Sequence, residues 1–193
     1  MNEREKMTAG QLYNPADAEL YRLRTNAHRL CMMYNQLFET DEEKRGAILR
    51  ELLPHSSHDI YFQGPIYFDY GINTYIGKNF YANFNTTILD VCPVRIGDNV
   101  MLGTNVSLVT PVHPLRWQER NPRVNENGEE YVLEYAKPIT IGSNCWIASN
   151  VTVVGGVKIG SGSVIGAGSV VTRDIPPDVF AAGVPCRVIK EIQ

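Results

Sequence analysis

The chain has 193 residues, 44% of them hydrophobic and 20% charged, with a net charge of −3 at pH 7. That length can bury a substantial core in one or two domains, and the slightly acidic balance offers no basic patch for a nucleic-acid partner. No apolar run is long enough to span a bilayer, and the opening residues 1–6 lack the apolar stretch of a secretory signal. The expectation is a cytoplasmic protein with no membrane and no nucleic-acid partner.

The first part of the chain reads as helical. Asn14-Pro15-Ala16-Asp17 predicts a helix start, with Asn14 as N-cap, Pro15 in the first turn and an acidic residue at the third position. Leu23, Ala27, Leu30, Tyr34 and Leu37 then form one apolar stripe. Thr40-Asp41-Glu42-Glu43 predicts a capping box for a second helix, with Ile48, Leu49, Leu52 and Leu53 on its stripe and Pro54 past its end. Two short amphipathic helices cannot fold alone, so they must dock on the rest of the chain. Residues 58–75 are rich in Tyr, Phe and turn residues and read as irregular first coils.

Beyond them a period of six takes over. Ile96, Leu102 and Leu108, then Ile141, Ile147, Val153, Ile159, Ile165 and Val171, lead successive repeats. Four residues later stand Val100, Val106, Val112, Cys145, Val151, Val157, Ser163, Ser169 and Ile175. A period of six fits neither an amphipathic helix nor a simple hairpin sheet; it is the hexapeptide pattern of a parallel β-helix. Leader and follower point inward, and the Asn or Gly between them turns a corner in left-handed backbone geometry. Ile76, Ala82 and Ile88 keep the same step before two extra residues reset it. The period breaks after His113 and resumes near Ile139. The intervening excursion, residues 114–138, is polar and holds Asn127-Gly128 as a two-residue hairpin turn. After Val171 the β-helix is expected to end at Ile175-Pro176-Pro177. The domains read as a helical piece over 1–57, a β-helix over 58–178 and a tail over 179–193. Cys31, Cys92, Cys145 and Cys186 lie far apart and read as free thiols.

His113 is the sharpest chemical candidate, because it stands where the coil opens into the excursion and histidine is the side-chain type suited to proton transfer near neutral pH. His28, His55 and His58 read as structural. Only His113 sits in the repeat region, so a metal held by His from neighbouring coils is not expected. No motif surrounds any Ser as a nucleophile. Asp69, Asn83, Asn85, Asp90 and Glu134 could grip sugar hydroxyls, although Asn85 and Asp90 fit plain turn roles equally. Arg173, Arg187 and Lys190 gather towards the C-terminus and suit either a phosphate-bearing ligand or simple solvation.

Several blocks carry a more specific signal: Met7-Thr8-Ala9-Gly10, Tyr67-Phe68-Asp69-Tyr70-Gly71, the run Asn79 to Asn85, Val112-His113-Pro114, Asn144-Cys145-Trp146-Ile147, Ile165 to Thr172, and Gly183 to Ile189. Over nearly the whole chain they resemble the maltose and galactoside O-acetyltransferases and the nodulation acetyltransferases. The resemblance implies an all-β solenoid, a left-handed parallel β-helix with a small N-terminal α-helical subdomain on the acceptor side, against the usual crossover hand. It implies a homotrimer with sites between subunits, a sugar acceptor and acetyl-CoA as co-substrate. By the same resemblance His113 is the general base, and Arg24, Asp69 and Asn83 meet the acceptor. Ser149, Ala167, Thr172, Arg173, Arg187 and Lys190 line the CoA site. Val91 stands where galactoside enzymes carry an acidic acceptor ligand, and Pro15 stands near another, with Asp17 displaced by two. The expected reaction is direct acetyl transfer without metal or covalent intermediate. The alternatives are acetylation of an antibiotic or a nucleotide-linked amino sugar, and a non-catalytic trimeric scaffold.

Overall fold

Ile76, Ile96, Ile141 and Ile159 stack as one column in the computed structural model, which describes residues 1–128 and 130–192. Ala82, Leu102, Ile147, Ile165 and Ala181 make a second column, and Phe68, Ile88, Leu108, Val153 and Val171 a third. Every one of these side chains is buried. The columns line three faces of seven, five and four strands, parallel except for the last strand of the seven-stranded face, the parallel β-solenoid that the hexapeptides predict. Each buried Ile or Leu contributes ~1.5–3 kcal/mol of burial free energy, so the stacked columns are the main source of stability.

The corners explain the Asn. Asn79, Asn85, Asn99, Asn105, Asn144 and Asn150 all have φ between 53° and 60°. Their side-chain amides also form ladders from coil to coil: Asn85 Nδ2 donates to Asn105 Oδ1 at 3.0 Å, and Asn105 Nδ2 donates to Asn150 Oδ1 at 3.0 Å. The Gly that follows several of the leaders has a different cause. A Cβ on Gly97 would lie 2.5 Å from Ser143 Oγ and 2.6 Å from its backbone N, so the next coil leaves no room for one.

Sheet membership defines the edges that matter for function. Residues 83–85, 148–151 and 166–169 turn from the seven-stranded to the five-stranded face. Residues 90–93 and 172–174 turn from the five-stranded to the four-stranded face. The excursion leaves and re-enters on this second edge, between strands Ser107–Val109 and Ile139–Ile141. At its base, Pro111–Val112 pairs antiparallel with Tyr135–Ala136. Val112 is therefore only half-buried rather than inward, because the chain has already left the coil. Further out, Arg123–Val124 and Glu130–Tyr131 form a hairpin. Its turn is closed by Gly128 N donating to Asn125 O at 3.0 Å. Glu126 and Asn127 are thus the central pair, and Gly128 follows at φ 81° instead of sharing the centre.

Residues 58–75 are more regular than their composition suggests. Ile60–Phe62, Ile66–Phe68 and Thr74–Ile76 are in register with the next coil. Phe62, Phe68 and Phe80 fill this end of the core in place of aliphatic side chains, which hides the repeat. At the other end the prolines make a corner and do not stop the solenoid. Ile175 bridges to Ile159, and Val179–Ala182 joins the seven-stranded face before Arg187–Glu191 returns antiparallel.

Three helices precede the coils: α1 (Glu3–Thr8), α2 (Ala18–Asn35) and α3 (Glu42–Leu52). The first, capped by an Asn2–Glu5 box, has no counterpart among the expected elements. Asp17, not Asn14, caps α2, its Oδ1 accepting from Glu19 N and Leu20 N at 3.0 and 3.2 Å. Asn14 closes a local turn onto Ala16 N instead. Asp41 stands at the start of α3 without a capping hydrogen bond, because its Oδ2 accepts from Phe38 N; Thr40 makes no capping box. The stripes of α2 and α3 continue the solenoid core through Ala27, Leu30, Tyr34, Ile48, Leu49 and Leu52. A separate small cluster, Met7, Tyr13, Leu20, Tyr70, Val91, Cys92 and Ala136, ties the N-terminal segment to the base of the excursion.

Candidate active site

Thr110 fixes the point from which the site is built. It is fully buried, its Oγ1 donates to Leu89 O at 2.7 Å and accepts from Cys92 N at 3.0 Å, and its carbonyl takes Lys137 N at 3.0 Å. The outgoing and returning strands are thereby pinned together, and His113 projects three residues beyond. Its side chain is 57% exposed, with Nε2 3.8 Å from Glu134 Oε2. Glu134 Oε1 accepts a hydrogen bond from the Tyr13 hydroxyl. Burial, reinforced by that bond, pushes the Tyr13 phenol far above its usual range, so it remains a donor.

Asp69 follows strand Ile66–Phe68 on the same edge. Burial pushes its carboxyl up to about 6, against the lowering pull of Arg24 and with a further rise from Glu134. Arg24 reaches in from α2, its Nη1 donating to Pro15 O at 3.3 Å and to the Tyr70 hydroxyl at 3.4 Å. His28, one turn further along α2, lies 3.8 Å from Asp69 Oδ1. Burial and then the Arg24 charge hold its imidazole below the ordinary value. A groove of about 310 Å³ continues from this point past His28, Met32, Tyr67, Asp69 and Leu89. The result is a cup with two exposed imidazoles, His113 and His28, two carboxyls and one guanidinium. It offers both acceptors and donors for hydroxyls beside a group able to move a proton.

Asp90 differs from the expectation that it faces an acceptor. It is wholly buried, and its two oxygens accept from Tyr70 N, Gly71 N, Asn73 N and Thr74 Oγ1 at 2.8–3.2 Å. Burial pushes its pKa up to about 6 against the lowering pull of these donors, which leaves it ionised at neutral pH. It fills the two-residue expansion of the corner and so shapes the floor of the cup without reaching it.

The remaining expected site residues lie elsewhere. Asn83 stands at the edge between the seven- and five-stranded faces, its Oδ1 accepting from Phe84 N at 2.7 Å. Ser149 and Ala167 occupy the same edge on later coils, Ala167 exposed and Ser149 half-buried. Thr172 and Arg173 are exposed on the His113 edge of the last coil, while Arg187 and Lys190 lie on the returning strand that borders the seven-stranded face. The three cations therefore do not form one cluster.

Tyr13, His28 and Tyr70 belong to the cup although nothing in their spacing marks them. His28 shows at most that it shares one side of α2 with Arg24, four residues before it. All four Cys are free and buried, and burial raises each thiol, Cys31 and Cys92 to about 11, so none is a ready nucleophile. Among the described residues no group of three or more His, Cys, Asp or Glu could hold a metal ion.

Comparison with known proteins matches residues 6–57 to the maltose acetyltransferase hexapeptide capping motif and residues 138–173 to the bacterial transferase hexapeptide model of six repeats. The galactoside O-acetyltransferase of Escherichia coli K12 is 45% identical over 188 residues, covering 97% of this chain and 88% of that protein. The crystal structure of a maltose O-acetyltransferase from Clostridium difficile 630 superposes with a TM-score of 0.91 at 44% identity, covering 100% of this chain and 98% of that one. A hexapeptide-repeat acetyltransferase from Vibrio cholerae, complexed with acetyl coenzyme A, has a TM-score of 0.87 at 35% identity over 100% of both chains.

Proposed function

We propose that this chain, which belongs to the maltose and galactoside O-acetyltransferase family of hexapeptide-repeat proteins, moves an acetyl group from acetyl-CoA to a sugar hydroxyl with His113 as general base. The observation that carries this reading is the exposed imidazole of His113 3.8 Å from Glu134, a carboxylate whose charge also acts on Asp69, on the edge where the excursion opens. His113 takes the proton of the bound hydroxyl. The hydroxyl oxygen forms a bond to the thioester carbonyl carbon, the carbon–sulfur bond breaks, and the proton returns from His113 to the leaving thiolate. Direct transfer fits the thiols, since buried, protonated Cys side chains supply no acyl carrier. Arg24, Asp69 and Asn83 bind the acceptor, with residues 1–57 as its cap.

The CoA residues fit their ligand chemically. Arg173, Arg187 and Lys190 are exposed cations suited to phosphates, and the exposed corner at Ala167 and Gly168 lets an extended arm approach the backbone. Among the described residues, none of these three cations has a carboxylate within ion-pair distance. Asn83, Ser149 and Ala167 share an edge that His113 does not. This supports sites completed between copies in a cyclic trimer. The outward side of the seven-stranded face, with Tyr61, Met101 and Trp146 between 40% and 51% exposed, gives such a trimer apolar surface to bury. A cytoplasmic setting fits four unpaired thiols.

The test is a thiol-release assay with acetyl-CoA across glucosides, maltose, galactosides and amino sugars. Acceptor-dependent release with a hexose or disaccharide is the expected result; no release with any hydroxyl acceptor would overturn the reading.

A further inference from the structure

Glu134 holds a position that hydroxyl binding does not explain. It comes in on the returning side of the excursion with its side chain only 16% exposed. One carboxylate oxygen accepts from the Tyr13 hydroxyl and the other faces His113 Nε2 at 3.8 Å. The two backbones are locked as well: Tyr13 N donates to Glu134 O at 3.1 Å and Glu134 N to Tyr13 O at 3.3 Å. Tyr13 is fully buried in the small cluster with Met7, Leu20, Tyr70, Val91, Cys92 and Ala136, so its phenol cannot swing away. A carboxylate fastened in this way has little freedom to follow a ligand, but it stands fixed beside an exposed imidazole.

We infer that Tyr13 and Glu134 form a positioning unit for His113. The phenol holds the carboxylate, and the carboxylate orients the imidazole and stabilises the positive charge that His113 gains when it takes the hydroxyl proton. This rests on His113 being the base. At 3.8 Å the resting contact is longer than a hydrogen bond, so its main effect is electrostatic and grows only once the ring is charged. Such an interaction is stronger in the transition state than in the ground state, and it acts on turnover in preference to binding. Asp69, Arg24, Tyr70 and His28 complete the titratable surroundings of Glu134: Asp69 adds to the negative field, Arg24 opposes it, and the raised Tyr70 phenol and lowered His28 imidazole favour their neutral forms.

The experiment uses the full chain in steady-state thiol release with the best acceptor sugar, comparing wild type, Glu134→Gln, Tyr13→Phe, the double variant and His113→Ala. Both single substitutions keep the shape of the side chain, and a thermal melt of each checks the fold. Glu134→Gln should lower kcat by roughly ten-fold, with both KM values within about two-fold of wild type. Tyr13→Phe should lower kcat by a smaller factor, and the double variant should be no slower than Glu134→Gln alone, because the phenol acts only through the carboxylate. Three results would overturn the unit: unchanged kcat in Glu134→Gln, a raised sugar KM at constant kcat, or fully multiplicative losses in the double variant. If Tyr13→Phe fails to fold, the kcat and KM pattern of Glu134→Gln decides alone. His113→Ala separates this inference from the reading beneath it. An active His113→Ala enzyme removes the base assignment. An inactive one beside a fully active Glu134→Gln removes only the positioning unit.

Discussion

His113 and Ala167 stand on different edges of the solenoid, with the five-stranded face between them. The cup around His113 gathers side chains from α2, from the corner after Phe68 and from the excursion, all near one edge. Asn83, Ser149 and Ala167 follow the other edge up the coils. In the proposed trimer the first edge of one copy faces the second edge of its neighbour. This arrangement is the geometric content of the proposed shared site.

Mixing two inactive variants tests it. His113→Ala removes the base, and Ala167→Trp crowds the donor wall at an exposed corner where a larger side chain does not disturb the core. Co-refolded hybrids should regain part of the wild-type activity, because some sites receive an intact base from one chain and an intact wall from the other. No recovery, with hybrid trimers demonstrated by mass, would place both groups of one site on a single chain.

For the base itself, we expect His113→Ala to lower turnover by roughly 10²–10⁴, the usual contribution of general-base catalysis. Its side chain is 57% exposed and outside both apolar clusters, so the melting temperature should hardly move. Acetyl-CoA affinity, read by calorimetry, should stay near wild type. Near-normal turnover in this variant would disprove the assignment.

Most of the fold was legible because one force with one period dominates it. Stacked aliphatic side chains recur every six residues, and the Asn at the corners repeats with them. The pattern failed where other side chains do the same work: Phe62, Phe68 and Phe80 fill the first coils, and Ile175-Pro176-Pro177 turns a corner where a proline pair reads as a stop. The site was less legible. His113 stood out by its place at the break in the repeat, but its surroundings come from contacts remote in sequence, such as Tyr13 with Glu134 and Arg24 with Tyr70. Asp90 shows the converse. An acidic residue at a turn can be a ligand or a corner clamp, and only its burial, with four donors around it, decides.

The C-terminal cations provide a separate test. Among the described residues Arg187 Nη1 donates to the neighbouring Cys186 carbonyl alone, at 2.7 Å, so most of its donors are available to a phosphate. Arg187→Ala and Lys190→Ala should each weaken acetyl-CoA binding while leaving the sugar KM near wild type. Added salt should weaken the wild type in the same direction. Unchanged CoA affinity by calorimetry in both variants would return these residues to ordinary solvated charges.

Asp69 links the site to stability. Its carboxyl is raised from 3.8 to about 6 in the fold, chiefly by burial. Between about pH 4 and pH 6 the unfolded chain therefore releases this proton while the folded chain keeps it. The folded state binds more protons in that window, so stability falls as pH rises through it; above the folded pKa the full penalty is present. Asp90 is shifted the same way and adds to the trend. Asp69→Asn removes one share. At pH 4 the variant should match wild type, and at pH 7 it should be more stable by about 1–3 kcal/mol, which is the order of the shift expressed as free energy. Its activity should fall, since the acceptor loses a carboxylate. Urea unfolding at fixed protein concentration, at pH 4 and pH 7, reads the difference directly. A variant less stable than wild type at pH 7, with no dependence on pH, would show that Arg24 fully compensates the buried charge.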